Sequence, residues 1–507
     1  MIGELVDKLV GILSPTAEAR RSHARRVVKR GYEAARTDRL NSRYNAKNQS
    51  ADLEMYGDAD EIRARSRQLI RDNAYARGVQ RAFLRNVVGC GICPKAATDD
   101  EAFNEVANEY WDIFQQESDV TGRQSFYQQE TLALSEIIEG GEVLVHHTSS
   151  PNRNRLVPYA IELIESDRFD SSSALHKRIG SNNQVRRGVE VNSIGEPVNY
   201  WLYESHPNDL NTMWSVSKPH AASEFEHIYK QERVGQSRGV SWYAPVLRWL
   251  RDLHYYTENE MQASAVASCF TAAVTTLAGP ADGGLGSGVN ASADSDGNEF
   301  EFLEPGMVAR LLPGEDISVI NPARSHADNQ VWIDLMIRAI AMGSGVSYER
   351  LARDYRNTTY SSNRAGDLED RREFRPLQDM IGINMVCPVY RRFISACVEV
   401  GLPGMPTPND FISDFHKWTK HEHRPPGWEW VDPLKEVTAS VLALENDLTN
   451  LELEHGKRGL DTKAVFAGAK RAETLRESSG LAPKPVEAEP DSEARSMARS
   501  LIGALDD

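Results

Sequence analysis

The stretch GVSWYAPVLRWLRDLHYYTENEMQASAVASCFTAAVTT, beginning at Gly239, constrains this chain more than any other. After Pro245 nothing in it breaks a helix until Gly279–Pro280. Ser241 is expected as the N-cap, with Pro245 in the first turn, where a missing N–H is not felt. A helix over residues 242–277 would reach about 50 Å at about 1.5 Å per residue. Its second half is small and weakly polar: Ala263, Ser264, Ala265, Ala267, Ser268, Ala272 and Ala273. Such a face lets neighbours approach closely but cannot build a thick core of its own. The helix therefore calls for partners.

Around it the pattern alternates between helical and extended blocks. Residues 18–95 are arginine-rich and helical in character, with Ile62, Leu69, Ile70, Tyr75, Val79 and Leu84 forming an expected buried stripe and the arginines outside it. Residues 101–137 continue as helices. Beyond Gly140–Gly141 the sequence turns to strands: EVLVHHT, YAIELIESDRF, a hairpin EVNSIGEPVNYWLYES turning near Ser193–Ile194–Gly195, and FEHIYK. A Gly- and Ser-rich segment and further strand-like residues follow the long helix. Next come VWIDLMIRAIAMGSG as a shorter helix and DYRNTTYSSNRAG as a polar loop. A helix from Asp367 is expected to bend or break at Pro376 and Pro388. A helical region covers about 434–478, and an acidic tail ends the chain.

Composition limits what such a chain can do. Of 507 residues, 26% are charged and 40% hydrophobic, which fits a globular, multidomain chain. No stretch approaches the run of about 20 apolar residues that a membrane helix needs. Five scattered cysteines argue for a reducing compartment, and the acidic Glu4 and Asp7 argue against a secretion signal, so the cytoplasm is expected. The net charge of −16 hides a contrast: residues 1–100 carry 19 Lys+Arg against 13 Asp+Glu, and the remainder is strongly acidic. Phosphate contacts supply most non-specific nucleic-acid affinity, so any contact with DNA should be weak or local.

Catalytic signatures are missing. The glycine-rich segment lacks the lysine of a phosphate-binding loop, and there is no zinc-protease, nucleophile-elbow or dinucleotide motif. Cys90-Gly-Ile-Cys93 follows a helix instead of opening one and has no second pair for zinc. His146 and His147 are neighbours on a strand and point to opposite faces. His416, His421 and His423 beside Glu422 read as a surface stretch, and Glu162, Glu165 and Asp167 as outward strand residues. No catalytic residue, metal site or cofactor is expected.

Seven segments, taken in order, carry a resemblance. They are IRARSRQLIRDNAYARGVQRAFLRNVVGCGI from Ile62, GEVLVHH, LIESDRFD, VGQSRGVSWYAPVLRWL, TTYSSNRAG, VCPVYRRFI and WVDPLKE. Through them the chain resembles the lambda-type portal proteins of tailed bacteriophages over nearly its whole length. The order of the pieces, more than any single one, makes the likeness specific.

That resemblance implies an α+β, multidomain, ring-forming portal fold with wing, long-helix stem, clip and helical crown. Residues 1–241 would be the N-terminal arm and wing, 242–277 and 326–343 the two stem helices, and 278–325 the clip. Residues 344–366 would be the tunnel loop, 367–433 a bent helix and further wing, 434–478 the crown and 479–507 the acidic tail. About twelve subunits would form a ring at one capsid vertex, the conduit for double-stranded DNA in packaging and ejection. Expected partners are the large terminase, the major capsid or scaffold protein and a head-completion protein, with no membrane; the location is the virion, and the host cytoplasm during assembly. Twelve copies would total roughly −190, a bore that repels DNA and so lets it slide. Arg353, Arg356 and Arg364 would add basic rings, with Asn357, Thr358, Thr359, Tyr360, Ser361, Ser362 and Asn363 as weak hydrogen-bonding groups. The alternatives are another ring or connector component of a virion, or a hydrolase fused to a helical domain.

Overall fold

The computed structural model describes residues 48–172, 182–209, 216–269, 272–275, 291–293, 299–301, 308–311, 326–356, 358–428, 432–460 and 462–480. The chain divides into two units at Glu54. Of the first, the described part is a short helix α1 (Ala51–Glu54), whose opening turn is closed by a bond from the Leu53 N–H to the Ser50 carbonyl at 3.1 Å.

The second unit begins with α2 (Asp58–Asp72) and α3 (Ala74–Phe83), which passes into a π-helical turn at Leu84–Val88. Asn73 separates the two helices: its Oδ1 accepts from the N–H groups of Tyr75 and Ala76, satisfying two donors that the start of α3 would leave open. Strand β1 (Cys93–Ala96) leads to α4 (Glu101–Glu117) and α5 (Phe126–Gly140). Ser125 and Gln128 close a capping box at the start of α5.

Two antiparallel sheets follow. β2 (Glu142–Ser149) is the centre of a three-stranded sheet between β3 (Tyr159–Glu165) and the later β8. β4 (Gln184–Arg186), β5 (Val189–Val191), β6 (Pro197–Leu202) and β7 (Lys218–Ala221) form a meander, and β8 (Phe225–Tyr229) returns to β2. The β5–β6 turn is where the hairpin was expected: Asn192 Oδ1 accepts from Ile194 and Glu196, and Gly195 takes a positive φ. A small core of Leu144, Ile164, Phe169, Val189, Tyr200 and Phe225 joins side chains of both sheets.

The long helix α6 (Leu247–Cys269) is shorter than the expected span of 242–277. At its start the Ser241 hydroxyl accepts from the Tyr243 N–H at 3.2 Å, and Ser241–Val246 forms turns ahead of the helix. At its end β9 (Ala272–Thr275) takes over the alanine-rich residues. β-Branched Val274 and Thr275 suit a strand, and β9 pairs in parallel with Val308–Leu311. β10 (Ala291–Ala293) and β11 (Glu299–Glu301) pair antiparallel, and β12 (Val308–Leu311) is the partner of β9. The rest of the expected clip, residues 278–325, lies outside the described residues.

α7 (His326–Ser344) matches the shorter expected helix and runs antiparallel to α6. Tyr256 Oη donates to Asn329 at 2.9 Å near one end, while at the other Val246 leaves no room for a Cβ on Gly343. α8 (Tyr348–Ala352) and α9 (Tyr360–Ile381) come next. Residues 344–366 are therefore not one polar loop. Local capping explains the difference: Thr359 Oγ1 accepts from the Ser362 N–H, and Ser362 Oγ accepts from the Thr359 N–H. So Tyr360–Gly366 opens α9. Pro376 sits inside α9 without ending it; a π turn at Gly382–Val386 leads directly into α10 (Cys387–Val400), where Pro388 occupies the first turn. α11 (Pro408–Ser413), α12 (Phe415–Trp418) and β13 (His421–Arg424) follow, β13 pairing with β1. α13 (Pro433–Glu445), α14 (Leu451–Gly456) and α15 (Thr462–Ser478) complete the described chain.

The main core draws on helices α2 to α11 and on strands β2, β3 and β8. Trp111 meets Phe126 and Phe393 edge to face, and Phe114 stacks on Phe393 with ring centroids 4.7 Å apart. Among the described residues, no helix is long and apolar enough to cross a membrane.

Candidate nucleic-acid interface

The segment from Gly345 to Arg364 is tied down at one end and open at the other. Asp370, buried on α9, accepts from the Ser347 N–H and hydroxyl at 2.9 and 2.8 Å and from Arg350 Nε at 2.6 Å. Arg350 also reaches Asp367 at 2.8 Å and the Asn86 side chain at 3.1 Å, with its guanidinium 5.6 Å from the Phe374 ring centre. These bonds fasten α8 to α9 and to the π turn after α3.

The expected channel residues lie beyond this clamp and differ among themselves. Arg353 is exposed, takes a left-handed backbone (φ 52°), and has no ion pair among the described residues. Arg356 is exposed too, but a two-pronged contact with Asp354 at 2.9 and 2.7 Å offsets its charge. Hydrogen bonds from Arg356 hold the Asp354 carboxyl down to about 2. Arg364 lies 3.7 Å from Glu436 of α13. The hydroxyls of Thr359 and Ser362 serve the cap of α9, and Thr358 Oγ1 donates to the Tyr355 carbonyl at 3.0 Å. Ser361 and Tyr360 are exposed, with Lys435 5.8 Å from the Tyr360 ring centre, and Asn363 is half-buried. Asn357 lies outside the described residues. The stretch brings the nine described residues into neighbouring turns of chain, and among the described residues Arg353 is the cation of this set without an ion pair.

A second constellation was hidden from sequence reasoning. Gly141 and Gly239 cross so closely that a Cβ on Gly239 would lie 2.1 Å from the Gly141 carbonyl oxygen. Beside this crossing Glu142, fully buried, accepts from Arg238 Nε at 2.7 Å, the Gly239 N–H at 2.8 Å and His227 at 2.9 Å. Arg238 is equally buried; it donates to the carbonyls of Arg187 and Ser166 and lies 3.8 Å from the Phe169 ring centre. Arg63 on α2, expected outside, is only 2% exposed and meets Glu142 and Asp167 at 3.7 and 3.5 Å. Next to it Arg67 holds Glu136 at 2.8 Å and Asp167 at 2.5 Å.

Burial opposes ionisation of Glu142, but Arg238 and His227 outweigh it and keep the carboxyl well below the usual range. Glu136 has the opposite balance: burial raises it to about 7 despite Arg67. Burial lowers the Arg187 guanidinium to about 10, with neighbouring Arg238 adding to the effect. Glycine beside each member of a Glu–Arg pair was the signal available in Gly141-Glu142 and Arg238-Gly239. Four of the seven sequence segments that carry the resemblance meet here.

Among the described residues, the other polar clusters divide their side chains between separate partners. Glu165, Asp167 and His206 approach one another, but Arg67 contacts both carboxylates. His146 pairs with Glu162, while His147 contacts Tyr159 and Glu226. His421 bonds the Thr419 carbonyl and His423 faces Asp379 at 3.7 Å, so these two serve separate partners. Cys90 and Cys93 are both free thiols.

Residues 37–378 match the family model described as phage portal protein, lambda family. The chain belongs to the lambda family of phage portal proteins. It is 27% identical over 476 residues to a probable portal protein of Halomonas phage phiHAP-1, covering 89% of this chain and 88% of that one. It is 22% identical to portal protein B of Escherichia phage lambda over 477 residues, covering 87% and 88%. Among solved structures it is similar to a chain in the neck of a native gene transfer agent (GTA) particle computed with C12 symmetry. That match has 14% identity, covers 88% of this chain and 99% of the other, and has a TM-score of 0.37. The family is a structural one, and the mixed helix-and-sheet architecture agrees with the expected α+β class.

Proposed function

We propose that about twelve copies of this portal protein form a ring at one capsid vertex, through which double-stranded DNA enters during packaging and leaves on ejection. The observation that carries the reading is the antiparallel pair α6 and α7. Val331, Leu335 and Met342 on α7 fall within one narrow stripe and are exposed, with Trp332 beside them; Trp249, Tyr255 and Met261 are exposed on α6. A two-helix pair that shows this much apolar surface fits a stem completed by the same pair from the next subunit, and head-to-tail contacts of that kind close into rings.

On this reading residues 278–325 are the clip that meets the large terminase and later a head-completion protein. The α+β block, residues 55–241 together with 367–433, is the wing against the major capsid or scaffold protein, and α13–α15 are the crown. Arg353, Arg356 and Arg364 with their neighbours face the channel, where shallow contacts let DNA slide. The assembled protein sits in the virion after passing through the host cytoplasm.

Negative-stain imaging and native mass spectrometry of the full chain test the assembly. Rings of about twelve with a central hole are expected, and a stable monomer at micromolar concentration would sink the proposal. Val331→Ser with Leu335→Ser should abolish rings while leaving the unfolding midpoint of the subunit in place, because both side chains already face solvent.

A further inference from the structure

A cleft of about 820 Å³ lies between α9 and the pair α13–α14. Its α9 wall presents Arg364, Arg371, Arg372 and Arg375, and Lys457 and Arg458 line the opposite side. Asp379, Glu436 and Glu454 share the lining, so cations outnumber carboxylates two to one in a chain whose net charge is −16. The four arginines recur at i, i+7, i+8 and i+11, which places them on one face of α9 over about 16 Å. Trp428 lies among them, its ring centre 5.6 Å from the Arg371 guanidinium and 5.9 Å from that of Arg375. Stacking against an indole engages the flat face of a guanidinium and leaves its N–H edge directed at acceptors.

We propose that this cleft binds the phosphodiester backbone of nucleic acid. A planar guanidinium fork matches a phosphate in two prongs, which an ammonium cannot do. A strand carries one phosphate per about 3.4 Å of duplex rise, so the arginine face spans about four to five of them. Arg372 is free to turn toward a ligand: its link to Glu369 at 2.9 Å joins two side chains that are each more than 70% exposed, the kind of pair that contributes little. The inference stands on the cleft and does not depend on the ring; of the residues expected in the channel, Arg364 alone also lines the cleft, and the test leaves it unchanged.

The test is fluorescence anisotropy with a labelled duplex of about 20 base pairs and the full-length chain, between about 50 and 200 mM salt. Arg372→Ala with Arg375→Ala should weaken binding about tenfold and reduce the slope of log K against log salt by about 2, one unit per lost phosphate contact. Both side chains are exposed, and circular dichroism should show the fold unchanged. Arg372→Lys with Arg375→Lys should recover the slope but not the full affinity. Wild-type affinity and slope in the alanine pair would overturn the inference. So would displacement of the duplex by inorganic phosphate beyond its ionic-strength effect, which would mark a pocket for free anions. Loss of polyglutamate binding with duplex binding intact would assign the cleft to an acidic protein segment and also overturn it. Imaging of the same samples reports on ring formation separately, so either idea can fail without the other.

Discussion

In the α+β block Trp111, Phe114, Phe126 and Phe393 are buried against one another, whereas α13 buries none of its residues and α14 only Glu454. Leu434, Leu448, Leu453, Phe466 and Leu475 are all exposed on or between the C-terminal helices, much as Trp332 and Met342 are on α7. One region completes its own core and even encloses charge; the other holds its apolar side chains out. The contrast separates two tasks. The buried aromatic residues and enclosed charges hold the block together, and on the proposed reading the surfaces left open by the fold are those that assembly would cover.

The largest effect that distinguishes the regions should come from Glu142→Ala. It strips a fully buried guanidinium of its carboxylate and leaves the Gly239 N–H without its acceptor. Breaking one side of such a pair costs about 3–5 kcal/mol, and the urea midpoint of the chain should fall accordingly. A wild-type midpoint would mean that the buried charges do not hold the block together, and the contrast would lose its physical basis.

A carboxyl of the block also makes it sensitive to pH near neutrality, whereas Asp432 and Glu454 of the open helices are held low by hydrogen bonds from Lys435 and Lys457. Burial raises Glu136 to about 7, so the folded chain keeps that proton more tightly than the unfolded chain. Its contribution is full below about pH 4.5 and is lost as pH rises through 7, worth about 3 kcal/mol across a gap of about 2.5 units. Glu142 slopes the other way: its depressed value adds stability above the ordinary carboxylate range, which is lost as acid protonates it. Glu136→Gln keeps the neutral shape. Its urea midpoint should therefore gain on the wild type steadily between pH 5 and about pH 7.5; parallel curves would show that Glu136 titrates as an ordinary surface acid.

Much of the block could be read locally. The β5–β6 hairpin, strands β2, β3 and β8, and helices α4, α5 and α7 follow from alternation, helical spacing and turn residues within a few positions of each other. What escaped depended on distance. Arg63 looks like any helix-surface arginine until Glu142, about 80 positions away, is placed beside it. The strand at Ala272–Thr275 exists only with Val308–Leu311 as partner, so a local reading extended the helix through it. The start of α9 failed for the opposite reason, since a two-residue device inside a polar run was enough to make Tyr360–Gly366 helical. For the residues proposed to face the channel, neither the pairing of Arg356 with Asp354 nor that of Arg364 with Glu436 could be seen in the sequence. The arginine cleft needed α9, Trp428 and α14 brought together in space.

The smallest effect belongs to that capping device and asks which region the proposed channel segment follows. Thr359→Ala removes the acceptor of the Ser362 N–H and one partner of the Ser362 hydroxyl. Loss of an N-cap hydroxyl costs about 1 kcal/mol. Because Thr359 is exposed and lies beyond the Arg350–Asp370 clamp, the cost should stay local: amide exchange at Ser362 should speed up about fivefold while the urea midpoint holds. A local response would mean that the first turns of α9 can loosen without disturbing the block, which is what a segment yielding to moving DNA requires. A fall in midpoint approaching that of Glu142→Ala would instead bind Tyr360–Arg364 to the cooperative core. The proposed channel segment would then be rigid, and on that proposal sliding would have to rely on its side chains alone.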